Sequence, residues 1–221
     1  MIRSYRQFSG QNLGRLAALS DGIFAVAMTL LVLNIRLPTA AAPHTQEPIW
    51  AAGALAAEAT VWNVLVPLAP QLLTYLMSFL TLGIFWAGQQ TQLNHFSRSD
   101  HRLTWIHLVF LLMVVFMPFS TALLAEFITY RLPMVIYWIN LFLLGLLLFI
   151  SIEYASHAGL LTAEATKEVV AASRRRIIVY QILYASAALL CVFNTYLAIA
   201  ALVLFQLNSV VVPRIGPLNR F

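Results

Sequence analysis

Charge is what this sequence has least of. Of 221 residues, 13 are Lys or Arg and 8 are Asp or Glu, so charged side chains make up 10% of the chain, where soluble domains carry about a quarter. A water-facing surface cannot be built from so few. With 61% hydrophobic residues and a mean hydropathy of +0.83, the chain reads as a polytopic, all-α membrane protein. Cysteine is almost missing as well. Cys191 stands alone inside an apolar run, which excludes an internal disulfide or a cysteine metal site and leaves a packing residue. A basic stripe on a polar domain is also lacking: the net charge of +5 sits between apolar runs, so nucleic acid is not an expected partner. There is no P-loop, no G-x-S-x-G, no H-E-x-x-H and no carboxylate pair with a base. Enzyme chemistry and a bound cofactor therefore have no residues to rest on.

What is present is a series of apolar runs. Broken at charged and Pro-rich points, they predict six spans at approximately 14–36, 65–93, 103–127, 132–153, 176–194 and 196–213. The last two are separated only by Phe193-Asn194-Thr195-Tyr196, read as a tight turn. The loop from Pro38 to Pro48 is Pro- and Ala-rich, and residues 49–64 are expected to form an interfacial helix with Trp50 and Trp62 near the headgroups. The whole of 1–221 reads as one six-helix domain.

The basic residues orient it. Arg3, Arg6, Arg15, Arg98, Arg102, Lys167, Arg174, Arg175, Arg176, Arg214 and Arg220 fall on one side, against Arg36 and Arg131 on the other. By the positive-inside rule both termini are cytoplasmic, which requires an even number of spans. The Arg174-Arg175-Arg176 run sets topology and touches anionic headgroups. A secretory signal ending near Ala40-Ala41-Ala42 is the competing reading, but the apolar run is too long, contains Asp21 and ends in Arg36. With no internal repeat, a central pore would have to be shared by several chains.

The first span opens with an expensive residue. An ionised Asp at mid-membrane costs about 2.5–3.5 kcal/mol on insertion scales, so Asp21 needs a partner or a pathway. At 100° per residue, Leu19, Gly22, Val26, Thr29 and Leu33 form one stripe with Leu30 and Ile23 beside it, while Ser20, Asp21, Phe24 and Met28 point elsewhere. Periodicity alone favours packing of that stripe against another helix or lipid. The second span places Trp86, Gln89 and Gln90 at the depth of Ser20 and Asp21, where their N–H groups could satisfy the carboxylate. Trp86 fits an interfacial belt equally well.

In the third span Pro118 frees a carbonyl, and Ser120 or Thr121 is positioned to re-satisfy the backbone; Glu126 reads as an interfacial carboxylate in water. His95, His101 and His107 flank the loop between the second and third spans and lack ligand spacing, so they read as solvated loop residues.

Arg15-x-x-x-Leu19-Ser20-Asp21 resembles the R-x-x-x-F-S-D signature of the lysosomal and bacterial potassium channels called transmembrane protein 175. Gly22 to Leu33, Ser78-Phe79, Phe85-Trp86 and Pro118 to Leu124 are similar to that family too. The resemblance covers the first three spans; the others agree in number and hydropathy. It implies four six-helix chains around a pore lined by the first helix, with no T-V-G-Y-G filter, permeable to potassium, in a bacterial plasma membrane. By distance from the Ser-Asp pair, the constriction and threonine layer fall at Val26, Thr29 and Leu33, on the stripe that also carries Leu30 and Ile23. Arg15, Ser20, Asp21, Trp86 and Gln89 would form an interhelical hydrogen-bond network. Leu19 departs from the usual Phe, and Gln89-Gln90 stand where bacterial members commonly have two histidines, which removes any titration there. Two alternatives remain open: a secondary transporter using Asp21 as carrier, and a non-conducting structural protein.

Overall fold

The computed structural model describes residues 13–35, 48–51 and 54–211. Arg3, Arg6, Arg36, Arg214, Arg220, the small-residue run at 40–42, most of the loop from Pro38 and the far end of the sixth expected span lie outside these residues. Among the described residues the helices are α1 (Leu13–Leu33), α2 (Ala54–Leu65), α3 (Ala69–Asn94), α4 (His101–Glu126), α5 (Arg131–His157), α6 (Lys167–Leu189) and α7 (Thr195–Val211). Among the described residues five segments are long and apolar enough to cross a bilayer: Leu13–Leu33, Val61–Asn94, His101–Glu126, Arg131–His157 and Lys167–Val192. The apolar run in α7, Thr195–Ser209, is shorter.

Two boundaries differ from expectation. The segment read as an interfacial helix is helical from Ala54, but it runs through a 3-10 turn, Val66–Leu68, directly into α3. Pro67 and Pro70 occupy the second positions of that turn and of α3, within the first turn where a missing N–H costs least, so the chain tightens instead of breaking. α6 starts at Lys167, well before the expected 176, because the Thr166 hydroxyl caps it by accepting from Val169 N (3.4 Å). Charge marks the edge of an apolar layer, not the end of a helix. At its far end α6 tightens into a 3-10 turn, Leu190–Val192, and Asn194 Oδ1 accepts from Tyr196 N (2.8 Å) to start α7.

α4 and α5 share the most extensive interface; α1 lies against α3 and α4, α6 against α5 and α7, and α7 returns onto α3. Phe24, Met77, Phe110, Tyr137 and Tyr184 fill the interior, and Cys191 is buried among its apolar residues. A polar cluster lies inside this packing. Gln206 Nε2 donates to Thr81 Oγ1 (2.6 Å), the Ser78 and Thr121 hydroxyls lie 2.7 Å apart, and the Tyr137 hydroxyl joins Ser78 (3.3 Å) and Thr81 (3.0 Å). Side chains from four helices thus meet in one buried hydrogen-bonded cluster, with Gln206 Oε1 left without a partner among the described residues. Around Pro118 the repair differs from expectation. Ser120 and Thr121 donate to Met117 O (3.0 and 2.8 Å), not to the freed Val114 carbonyl, and Asn34, just beyond α1, donates to Pro118 O (3.1 Å).

At the Arg-rich end the loops are pinned. Asp100 Oδ1 accepts from Leu103 N (2.8 Å), capping α4, while Tyr154 of α5 donates to the other carboxylate oxygen. Gly159, with φ of 64°, takes the left-handed conformation that ends α5 and sets Leu160 O to accept from Ser97 N (2.8 Å). Arg174 Nη2 meets Glu153 Oε2 at 2.8 Å.

Candidate functional site

α1 has two faces of different character. Leu16, Ser20, Phe24, Ala27 and Leu31 recur at helical spacing and are buried. On the opposite side Leu19, Gly22, Val26, Thr29, Leu30 and Leu33 are exposed, with Val26 at 57% and Leu33 at 73%, and Ile23 is half-buried at the edge. Thr29 turns its hydroxyl back onto Val26 O (2.8 Å), leaving that face without a projecting donor at this level. Ala18, Leu19, Gly22, Ile23, Val26 and Leu30 line a shallow groove of about 390 Å³ against Val115 of α4. Small side chains at 18 and 22 open it, as in helices that pack closely on a neighbour.

The flank of α1 facing α3 carries the polar groups. Asp21 Oδ1 accepts from Trp86 Nε1 (2.8 Å) and Gln90 Nε2 (2.7 Å), although Asp21 stays exposed. One residue earlier, Ser20 is fully buried; its hydroxyl donates to Leu16 O (2.9 Å) and accepts from Gln89 Nε2 (3.1 Å). Arg15 is exposed, within two turns of Asp21. The structure therefore brings Ser20, Asp21, Trp86 and Gln89 together across α1 and α3, and adds Gln90.

It also adds a residue that the sequence pattern assigns to a loop. His107 is fully buried inside α4, with Gln89 Nε2 at 3.3 Å from its Nδ1 and Ser151 Oγ at 3.0 Å from its Nε2. Gln89 has two amide hydrogens, one for Ser20 and one for His107 Nδ1, so the imidazole carries its proton on Nε2 and donates to Ser151. Ser20, Gln89, His107 and Ser151 form a chain of hydrogen bonds through α1, α3, α4 and α5. The edge of Phe96 closes over the ring, with centroids 6.0 Å apart. His107 is buried because Asp100 starts α4 at His101, which puts 107 on the face of Leu103, Phe110, Leu111 and Val114. That cap and spacing were the available signal. His101 is exposed and accepts from Trp105 Nε1 (3.0 Å), and His95 caps the end of α3. Among the described residues no group of His, Cys, Asp or Glu could hold a metal ion. Glu126 ends α4 exposed.

The arrangement has clear likenesses. The family model described as the endosomal/lysosomal potassium channel TMEM175 matches residues 15–118, from Arg15 to Pro118 inside α4. A protein of Streptomyces collinus named a potassium channel is 36% identical over 115 residues, covering 52% of this chain and 48% of that one. Another so named, from Chamaesiphon minutus, is 34% identical over 115 residues, covering 52% of this chain and 50% of that one. The chain spans about half the length of these relatives. The crystal structure of a Chamaesiphon minutus homologue of the lysosomal potassium-selective channel TMEM175 superposes with a TM-score of 0.73 at 24% identity, covering 90% of this chain and 96% of that one. The fold is thus shared along nearly the whole chain, and the sequence likeness is concentrated in α1 to α4. This multi-pass membrane protein thus resembles the TMEM175 family over residues 15–118 and shares the fold of the solved homologue.

Proposed function

We propose that the chain is a potassium-permeable cation channel in which four copies surround a central pore lined by α1. The single observation that carries this is the outward face of α1: Val26, Thr29, Leu30 and Leu33 are exposed while the opposite face is locked into the bundle. An apolar face with one hydroxyl layer suits a constriction that partly hydrated ions pass and that gates by wetting, with selectivity set by width and local dipoles. The names of the relatives support potassium as the permeant species. Arg15, Ser20, Asp21, Trp86 and Gln89 hold the helix in register, and no cofactor takes part. The 221 residues act as one six-helix domain, multi-pass in a bacterial plasma membrane with both termini cytoplasmic. Neither the transporter nor the non-conducting reading gains support from the likenesses.

Reconstitution in liposomes with opposed potassium and sodium gradients tests this directly. The reversal potential should follow potassium, and Val26→Asn should raise conductance or lower the potassium preference. Unchanged currents and ion ratios across substitutions at Val26, Thr29 and Leu33 would remove α1 from the pore.

A further inference from the structure

α1 has few polar side chains, and they gather at its two ends. Between Asp21 and Asn34 the only hydroxyl or amide side chain is that of Thr29, and it is spent on Val26 O of the same helix (2.8 Å). Ser20 and Asp21 tie the Arg15 end of α1 to α3 through Gln89, Trp86 and Gln90. At the other end stands Asn34, whose Nδ2 donates to Pro118 O of α4 (3.1 Å). Two polar anchors, about 20 Å apart at 1.5 Å per residue, therefore bracket the stretch that holds Val26, Thr29, Leu30 and Leu33.

The two ends are not equally secure. Near Arg15 the helix is held by apolar packing as well: Leu16 lies among Leu93, Phe96 and Leu103, and the Phe24 and Phe110 ring centroids are 6.0 Å apart. Past the buried Leu31, by contrast, Val32, Leu33 and Asn34 are all exposed. The backbone there closes only short turns, with Asn34 N donating to Leu31 O (3.4 Å) and Ile35 N to Val32 O (3.1 Å). Asn34 is not present as a left-handed cap, because among the described residues none but glycine has a positive φ. In a bilayer, lipid tails compete with apolar helix contacts on even terms, so an interhelical hydrogen bond decides where an exposed last turn rests. Asn34 supplies that bond one residue after Leu33.

We propose that Asn34 is a positioning residue for the pore: by donating to Pro118 O it holds the last turn of α1 against α4 and so fixes the aperture of the Leu33 layer. It acts through Leu33 and does not itself touch the ion. The inference rests on the reading of α1 as the pore lining. It gives the ends of α1 different work, register with α3 near Arg15 and pore width at Asn34.

Reversal potentials of the reconstituted full chain, with potassium on one side and sodium on the other, test this. Asn34→Leu is of similar size and lacks the donor; the potassium-to-sodium permeability ratio should fall roughly threefold, the weight of one interhelical hydrogen bond. Asn34→Ala serves in the same way if the Leu variant does not assemble. Asn34→Gln retains a carboxamide donor and should recover most of the ratio. In a Leu33→Ala chain, adding Asn34→Leu should change the ratio no further, because a residue that acts through Leu33 then has nothing left to position. An unaltered ratio in Asn34→Leu overturns the proposal, and so does the same fall in Asn34→Gln. An equal fall with and without Leu33→Ala also overturns it, since Asn34 would then act on the ion directly. Val26→Asn separates this from the pore reading: if it shifts conductance or ratio and Asn34→Leu does not, only Asn34 loses its role. Unchanged values in Val26→Asn, Leu33→Ala and Asn34→Leu alike take the pore reading with them.

Discussion

Replacing His107 by Leu tests whether the buried hydrogen-bond chain holds four helices together. The substitution keeps a similar volume and removes two interhelical bonds, the 3.3 Å contact to Gln89 and the 3.0 Å contact to Ser151. Interhelical hydrogen bonds in membrane proteins are worth about 0.6 kcal/mol on average and about 1.7 at most, so two set a range of roughly 1–3.5 kcal/mol. Two opposing effects narrow it. Gln89 already has an unpartnered Oε1 and is left with a second stranded group, whereas Leu adds favourable apolar contact with Phe96. The expected loss is about 1–2 kcal/mol, read as the shift in unfolding midpoint in mixed micelles of rising dodecyl sulfate fraction followed by circular dichroism. Ser151→Ala alone should cost less, about 0.6 kcal/mol. In the double variant the Ser151 hydroxyl is no longer stranded, so the two losses should fall short of additivity by about 0.6–1.7 kcal/mol. An unchanged midpoint for His107→Leu together with strict additivity would show that the chain of bonds contributes nothing.

Two further substitutions separate local roles. Asp21→Asn keeps an Oδ1 acceptor for Trp86 and Gln90, whereas Asp21→Ala strands both donors; light scattering after size exclusion should find assembly nearly intact in the first and reduced in the second, with the ion ratio of the assembled fraction unchanged. Equal damage from both would shift the role from hydrogen bonding to the charge itself. Gly145→Ala places a Cβ 1.5 Å from Gln181 Nε2 and forces that side chain off Leu141 O. A loss of about 1–3 kcal/mol is expected in a melt, while Gly88→Ala, with only a 3.7 Å neighbour, should stay within about 0.5 kcal/mol of the unsubstituted chain.

Much of α1 is legible in the spacing of its residues. Its stripe of Leu19, Gly22, Val26, Thr29 and Leu33 is the face left exposed, because a 3.6-residue period dictates which side chains share a direction. Trp86, Gln89 and Gln90 lie level with Ser20 and Asp21 because antiparallel helices in one bilayer put residues equally far from their ends at equal depth. His107 was hidden by a different cause. Charged and polar residues on both sides of Ser99-Asp100 suggest a long loop, yet the Asp100 cap starts α4 at once and carries His107 nearly two turns inside. Lys167 to Arg175 mislead in the same way, since hydropathy reports the membrane and says nothing of helix continuing beyond it.

The sequence by itself determined the solvent and the secondary structure: too little charge for a water-facing surface, apolar runs long enough to cross a bilayer, and a first helix with two dissimilar faces. These follow from the chain's own composition and from a period internal to each helix. Only the tertiary structure decided which polar group meets which. Gln89 divides its hydrogens between Ser20 and His107, Ser120 and Thr121 serve Met117, and Gln92 Oε1, Gln181 Oε1 and the Tyr184 hydroxyl have no partner among the described residues. Direction on a helix is local, but a partner depends on which helices are neighbours and at what relative height. That information belongs to the packed bundle, where each buried donor or acceptor is either met or left needing something from outside the chain.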